Sequence, residues 1–424
     1  MKSLQLDVKK EIILLSVCAS FAFVLAFHLS RQPGVLILSD HYSRWYASLK
    51  LITDGRSLYD PQNGIEIVSL NPNPTAPVEG SFFYPAHLLL LTLPLVGLPY
   101  SLAHFVWLFL IQAFFIAALY LTFKLVGWPR SPNRKAVFMI LALLFIPQIQ
   151  NTIWGQFNSV GMVSLALVYL ALRKDRWMLA GFLALGLTFK PQNMLLTLTF
   201  LIIWAISSRR RWRFLAGFSL ACLGAWLFAE WLEPHWVSSF LHGVRAYSAY
   251  LQPKGVLDLY WAEGATALKI ALICLSFWLF YRSRHGSPDS LPFLACLTLS
   301  LGAWWVIVPM LGMMQLVALP LAVVWLLASL SKPFPLLYRS SLIAFALIYV
   351  LGYLGFLYGF IQPDLYGTHV ILSEIAYKII APALLTLISA AAILAFPDRS
   401  AGPPALRSNV VAPPTAPHPQ GDGS

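Results

Sequence analysis

The sequence predicts an all-α polytopic membrane protein with about 12 transmembrane helices. Of its 424 residues, 58% are apolar and only 11% are charged, and the mean hydropathy is +0.71. A soluble globular chain carries roughly 25% charged residues. Apolar stretches of about 15 to 22 residues, close to the length that crosses a bilayer, recur along the whole chain. These observations exclude a soluble protein and leave no room for a large soluble domain.

The distribution of charge predicts which loops face the cytoplasm. The chain has 29 Lys and Arg against 17 Asp and Glu, a net charge of +12. Basic residues flank the first apolar stretch and recur in alternate loops, as the positive-inside rule describes for cytoplasmic segments. Both termini are then cytoplasmic, and the long segments 30–99 and 232–264 lie outside. The positive charge is explained by membrane orientation, so no nucleic-acid partner is expected.

One short apolar stretch, Ala86 to Leu98, is predicted not to cross the membrane. It is bounded and interrupted by Pro85, Pro94 and Pro99, and counting it as a span would reverse the sidedness of every later loop. It is therefore interpreted as a re-entrant or interfacial element.

The chain divides into one membrane domain and a tail. Residues 1–396 form the predicted transmembrane domain. Residues 397–424 contain 7 prolines in 28 positions, a composition typical of disorder, and are expected to be a disordered cytoplasmic tail.

The first external segment predicts an amphipathic helix. Apolar residues recur at helical spacing and end at the turn signal Asp54-Gly55. Such a helix is expected to lie in the membrane interface. Its apolar positions are Tyr42, Trp45, Tyr46, Leu49 and Ile52.

Motifs of soluble enzymes are missing from the sequence. There is no Walker loop, no Rossmann glycine motif, no HExxH and no GxSxG. The four cysteines show neither CxxC nor Cys/His spacing, so no metal site is predicted.

Two ionisable residues at the external edges of apolar runs are candidate site residues, each with an ordinary alternative. Asp40 follows an apolar run at the bilayer boundary, where partial desolvation raises a carboxylate's pKa and makes it a better base. It also precedes a helical pattern, as a helix cap would. Lys190, directly before Pro191, either faces an external cavity or extends its charge to water at the interface. The run from Trp154 to Asn158, taken alone, is interpreted as a polar hairpin loop on the same side.

A succession of short motifs along residues 35–200 resembles a known pattern. In order they are DHYSRWY from Asp40, LYDP from Leu58, FFYP from Phe82, GQFN from Gly155, and KP at Lys190. The chain is similar to glycosyltransferase family 87, bacterial polyprenol-phosphate-mannose-dependent mannosyltransferases of the GT-C membrane fold. The specificity of the match lies in the order and spacing of the motifs.

The resemblance implies a function. It implies a hexosyltransferase in the bacterial plasma membrane that moves a hexose, with mannose expected, from a polyprenyl-phosphate donor to a glycolipid or glycan acceptor on the external face. The family match places the general base on Asp40, and no cofactor is implied.

The predicted chemistry also needs cations and sugar-binding groups. Cations stabilise the departing lipid phosphate, and the external candidates are Lys190, Arg44 and Arg245. Because these cations can replace a divalent ion, no metal is predicted. Aromatic and polar side chains of the motifs can contact sugars, although the aromatic ones equally fit an interfacial belt. The substrate-binding candidates are Tyr42, Tyr46, Tyr84, His87, Gln156 and Asn158.

The sequence departs from the family in one place. Where family members commonly carry a histidine, the stretch from Pro309 to Pro320 has Met314 and Gln315 instead. His87, His235 and His242 remain possible substitutes.

Two other classes of function stay open. A transporter or flippase of lipid-linked sugars would place its essential polar residues along a path at the bilayer midplane, whereas a transferase would place them at the external rim. A non-catalytic scaffold with a lipid groove is the third class.

Overall fold

A computed structural model describes residues 2–32, 39–70, 82–251, 254–255, 257–258, 261–308, 312–361 and 373–396. Every regular element in these ranges is helical. The predicted tail, 397–424, lies outside the described residues. The α-helices are α1 Lys2–Leu29, α2 Asp40–Asp54, α3 Pro61–Leu70, α4 Leu89–Val96, α5 Tyr100–Val126, α6 Pro132–Leu143, α7 Ile146–Ile153, α8 Asn158–Arg173, α9 Trp177–Ala184, α10 Pro191–Ile206, α11 Trp212–Leu232, α12 Trp236–Leu251, α13 Ala262–Ser283, α14 Leu291–Ile307, α15 Leu319–Leu330, α16 Pro335–Ile361 and α17 Ala381–Ala395. Short 3₁₀ segments precede α4, α11 and α15 and follow α9, and a π-helical turn, Ile375–Ile380, precedes α17.

The prediction of an all-α polytopic membrane protein is confirmed, but the count of twelve spans is not. Within the described ranges, seven helices are long and apolar enough to cross a membrane, and the pair α6 and α7, bent by 52°, would make an eighth. The apolar helices at 158–173, 177–187, 191–206 and 291–307 are shorter. At 1.5 Å per residue, a 16-residue helix is about 24 Å long, which is less than the hydrocarbon thickness of about 30 Å.

Close approach of α9 and α11 depends on two glycines. A Cβ on Gly181 would collide with the carbonyl oxygen of Phe214 and lie 2.6 Å from the amide nitrogen of Phe218. A Cβ on Gly217 would collide in turn with the carbonyl oxygen of Met178. Small residues at this crossing let the two backbones touch, as at many helix contacts in membranes.

Helix α2 confirms the helical prediction for the segment that was expected to be external, but its buried face differs from the expected one. Gly55 ends the helix with φ +63°, as the turn signal predicted. The side chains buried in the protein are His41, Arg44, Ala47 and Ser48, whereas Ile52 is more than half exposed. Tertiary packing therefore selects a polar face, because that face lies against other polar groups of the chain.

The short helical element at Ala86–Val96 packs against α2. Its 11 residues place it among the shorter apolar helices rather than the full-length candidates, and the prediction that it does not cross stays a prediction. Trp45 Nε1 donates to the carbonyl oxygen of Leu95 at 3.2 Å, and the hydroxyls of Ser48 and Thr92 lie 3.0 Å apart. The two helices are thus joined by polar contacts.

The end of α11 holds the loop that follows α2. The buried carboxylate of Glu233 accepts hydrogen bonds from Ser57 Oγ at 2.6 Å and from the amide of Leu58 at 2.8 Å. The next helix, α12, places Trp236 against the ring of His87, with centroids 6.0 Å apart. The two long segments predicted to be external therefore pack on each other.

Candidate functional site

The site is organised around the turn between α7 and α8, residues 154–157. Gly155 has φ +59°, and its carbonyl oxygen accepts from Arg44 Nη2 at 2.6 Å and from Trp107 Nε1 at 2.7 Å. The amide of Asp40 donates to the carbonyl oxygen of Trp154 at 3.1 Å. The turn is thereby fixed to the beginning of α2.

Replacing Gly155 by alanine is expected to destabilise this junction. The left-handed conformation costs a non-glycine residue about 1 to 2 kcal/mol. The new Cβ would also collide with Ser39 Oγ and lie 3.0 Å from His41 Cβ. We expect a lower melting temperature for the purified Gly155→Ala protein in detergent. Gly224→Ala is the matched control, because a Cβ there meets nothing within 4 Å on a helix.

Asp40 is joined to Lys190 through the side chain of Gln156. The amide nitrogen Nε2 of Gln156 donates to Asp40 Oδ2. The ammonium of Lys190 donates to Gln156 Oε1 at 2.7 Å. Gln156 and Lys190 are buried, whereas Asp40 keeps partial solvent access. A carboxylate and an ammonium from distant parts of the chain are thus hydrogen-bonded to the same side-chain amide.

The surroundings shift the pKa of both charged groups toward neutrality. Burial raises the pKa of Asp40, and the positive charges of Arg44 and Lys190 oppose that rise. Burial lowers the pKa of Lys190 to about 7; Asp40 opposes this shift and Arg44 adds to it. The site therefore holds a carboxylate of increased basicity and an ammonium that loses its proton easily.

Asp40 does not cap α2. The N-cap is Ser39, whose hydroxyl accepts from the amide of His41 at 3.2 Å. Asp40 is the first residue of the helix, and its carboxylate accepts a hydrogen bond from Gln156. The capping interpretation of Asp40 is therefore wrong.

Arg44 is enclosed by protein. Its side chain is fully buried, and Nη1 donates to Tyr84 Oη at 3.3 Å in addition to the bond with Gly155. The guanidinium carbon lies 5.0 Å from the ring centroid of Phe157. No carboxylate lies within ion-pair distance of Arg44 in the described part of the chain. Arg44 thus stabilises the turn at Gly155 and adds positive charge near Asp40.

Asn158 belongs to a row of buried side-chain amides close to the triad formed by Asp40, Gln156 and Lys190. Its Oδ1 accepts from Asn193 Nδ2 at 2.6 Å, and its Nδ2 donates to Asn151 Oδ1 at 3.0 Å and to the carbonyl oxygen of Met314 at 2.8 Å. Gln315, where the resemblance led to a histidine being expected, is also buried. Its Oε1 has no hydrogen-bond partner among the described residues.

The remaining predicted site residues are only partly brought together. Tyr84 contacts Arg44, and His87 hydrogen bonds to Thr188 Oγ1 at 3.1 Å. The ring of Tyr42 packs on Trp45 and Tyr100. The structure places neither His87 nor Tyr42 in contact with Asp40.

Two predicted residues have other surroundings. The hydroxyl of Tyr46 donates to Glu66 at 2.5 Å, so it joins α2 to α3. Arg245 is exposed on α12 and makes no hydrogen bond or ion pair with any residue that the structure describes. The structure does not place Arg245 with Lys190 and Arg44.

The histidines of the site are not the predicted ones. His235 and His242 are exposed. Two other imidazoles, of His41 and His104, are fully buried, with their Nδ1 atoms 3.4 Å apart. The ring of His41 also stacks on Trp107 with centroids 5.1 Å apart. His41 stands beside Asp40 in the first motif, whereas nothing in the sequence marks His104.

Comparison with known families gives one match. A family described as a predicted membrane protein, DUF2079, matches residues 49–397. The chain belongs to DUF2079. No curated protein and no solved structure matches it. The match to DUF2079 supports the membrane assignment and gives no activity.

The side chains of this DUF2079 protein offer no cluster of conventional metal ligands in the described ranges. No group of three or more His, Cys, Asp and Glu residues there could hold a metal ion. The described cysteines are free, with Cys18 and Cys296 buried and Cys274 exposed.

Proposed function

We propose that the protein is an integral membrane glycosyltransferase. It moves a hexose, with mannose expected, from a polyprenyl-phosphate donor to a glycolipid or glycan acceptor on the external face of the plasma membrane. The observation that carries this proposal is the connection of Asp40 to Lys190 through Gln156. Such a transfer needs a base and a cation close together, and here both hydrogen bond to the side-chain amide of Gln156.

Each group has a distinct role in the proposed reaction. Asp40 takes the proton of the acceptor hydroxyl as its oxygen attacks the anomeric carbon from the face opposite the phosphate. The bond from the anomeric carbon to the phosphate oxygen breaks, and the polyprenyl phosphate leaves with the electron pair. The ammonium of Lys190 stabilises the negative charge on the departing group. Attack from the opposite face inverts the anomeric configuration.

The other cations support this role to different degrees. Arg44 adds fixed positive charge near the site, although its guanidinium hydrogen bonds to Tyr84 and to the carbonyl oxygen of Gly155. Arg245 has no described contact with the site and is therefore a weaker candidate for the phosphate. Tyr84 and Gln156 contact the charged groups directly. Their first role is to orient Arg44, Asp40 and Lys190.

The proposed orientation places the site outside, with twelve crossings in total. In this topology the short helices α8, α9, α10 and α14 cross as a group packed within the protein. Single cysteines at Ser248 and Ser287, both exposed, test it in a chain whose native cysteines are replaced by alanine. A membrane-impermeant maleimide should label position 248 in intact cells and position 287 only after permeabilisation. Labelling of position 287 from outside would reverse the orientation.

The pKa shifts predict a narrow pH range for activity. The reaction needs Asp40 deprotonated. Since burial raises the pKa of Asp40, the rate should begin to fall, as the pH is lowered, at a pH above the ordinary pKa of an aspartate. It also needs Lys190 protonated, and with its pKa near 7 the rate should fall as the pH rises above neutrality. Lys190→Arg keeps its charge and should remove the alkaline fall. An unchanged alkaline limb in that variant would assign the titration to another group.

The decisive experiment is direct transfer. Purified protein is incubated with radiolabelled polyprenyl phosphomannose and a membrane lipid extract, and labelled products are identified. Label should move to a lipid or glycan acceptor. If no label moves across a panel of donor sugars, transport of labelled donor into proteoliposomes becomes the alternative to test.

A further inference from the structure

A small pocket beside the Asp40–Gln156–Lys190 triad has no role in the chemistry above. It lies between α8, the end of α9 and the beginning of α10, with Lys190, Asn158 and Asn193 as its polar lining. Gly161 and Gly186 form part of its wall. The space is about the size of one water molecule. It can therefore hold a single hydroxyl group but not a sugar ring.

The polar groups of this pocket have unused hydrogen-bonding capacity. The ammonium of Lys190 has three donors, and in the described part of the chain Gln156 Oε1 is its one acceptor. Asn193 is 3% exposed, and its Nδ2 donates to Asn158. Its Oδ1 has no hydrogen-bond partner among the described residues. A buried amide oxygen without a hydrogen-bond partner is unfavourable, so a ligand group that donates to it is favoured.

We propose that this pocket binds the hydroxyl on carbon 2 of the donor sugar and makes the enzyme selective for sugars that carry it. This inference rests on the proposed function. The hydroxyl accepts from Lys190 and donates to Asn193 Oδ1. The ammonium then uses its three donors on Gln156, the hydroxyl and the phosphate.

The chemistry of the pocket distinguishes a hydroxyl from a phosphate. A phosphate oxygen would satisfy Lys190, but it would bring negative charge against the amide oxygen of Asn193. A hydroxyl both donates and accepts, so it satisfies both groups.

The position of the hydroxyl follows from the shared ammonium. Two oxygens bound to one nitrogen, each at about 3 Å, lie close to each other. In a sugar phosphate, the hydroxyl nearest to the phosphate is the one on carbon 2. Hydrogen bonds to this hydroxyl also strengthen in glycosyl-transfer transition states.

The test compares polyprenyl phosphomannose with its 2-deoxy analogue, in binding and in transfer. Sites built around a substrate hydroxyl reject the analogue that lacks it, because their buried polar groups stay unpartnered. We expect the normal protein to bind the 2-deoxy donor at least about 10-fold more weakly. Asn193→Ala should remove most of this preference by weakening the normal donor while leaving the 2-deoxy donor almost unchanged.

Two further variants separate this role from a purely structural one. Asn151→Ala breaks the same row of amides without lining the pocket, and it should keep the preference for the normal donor. Gly161→Ala adds a methyl group to the pocket wall, 3.4 Å from Met194 Cε, and should reduce the preference without altering a polar group. Folding of each variant is checked by its elution as a single species.

Failure of this inference is distinguishable from failure of the proposed function. Equal binding of the two donors by the normal protein, with transfer intact, would overturn the pocket assignment alone. It would leave an ordered water as the occupant. Absence of transfer with every donor would remove the proposed function, and the binding comparison would then decide whether the pocket still recognises a sugar hydroxyl. An equal preference in the normal and Asn193→Ala proteins would also overturn the assignment.

Discussion

Asp40→Asn is expected to abolish sugar transfer while leaving the protein folded. Loss of a general base costs about 10²- to 10⁴-fold in rate. Asparagine keeps an oxygen that can accept from Gln156, and it no longer carries a charge whose burial is unfavourable. The measurement is the initial rate of transfer from labelled donor, together with the melting temperature in detergent. We expect a melting temperature equal to or above that of the normal protein.

The matched control for Asp40 lies on the same helix. Asp54 forms an exposed ion pair with Lys50 at 2.9 Å, and Asp54→Asn should keep its activity because such pairs contribute little. Near-normal turnover in Asp40→Asn would show that Asp40 is not the base. The search would then move to Asp54, Asp60 and Glu66, of which Glu66 is bound to Tyr46 and Arg56.

Lys190→Gln is expected to weaken use of the donor by about 1.5 to 3 kcal/mol, the range of a hydrogen bond to a charged group. This corresponds to roughly 10- to 150-fold in kcat/KM for the donor. Glutamine can still donate to Gln156, but it supplies no charge to the phosphate. The apparent affinity for the acceptor should change little. Steady-state kinetics with each substrate varied in turn measure the two effects separately.

The structure adds a second signature to this substitution. The charge of Lys190 opposes the rise in the pKa of Asp40, so its removal should move the acid limb of the rate profile to higher pH. A lysine that merely extends to water would show neither effect. Lys50→Gln, on the exposed face of α2, is the matched control and should leave both donor kinetics and pH profile unchanged. Unchanged donor kinetics in Lys190→Gln would shift the phosphate role to Arg44.

The helical membrane architecture could be predicted from the sequence, because it depends on local composition. Apolar stretches give helices, and Gly55 and the turn at Gly155 end or connect them at the expected places. The short helical element at Ala86–Val96 could also be predicted, since prolines bound and interrupt its apolar stretch. The number of full-length spans was not, because whether a helix of about 16 residues crosses depends on its neighbours.

Individual residues of the site could be selected from the sequence, but their partners could not. Asp40, Gln156 and Lys190 were each marked by charge or polarity at the edge of an apolar run. Arg44 was expected to face the phosphate, and the structure instead binds it to the turn at Gly155. Arg245 had the right charge and the right predicted side, yet it lies exposed on α12 without a described contact to the site.

The sequence by itself determined that the chain is a helical membrane protein and which polar residues stand at the ends of its apolar runs. Only the tertiary structure decided that Gln156 joins Asp40 to Lys190 and that His41 and His104 meet. It also decided that Asn193, with an unpartnered side-chain oxygen, lines a pocket. The physical reason is that periodicity and charge act over neighbouring residues, whereas a hydrogen bond across 116 positions, such as that from Gln156 to Asp40, exists only after the helices have packed.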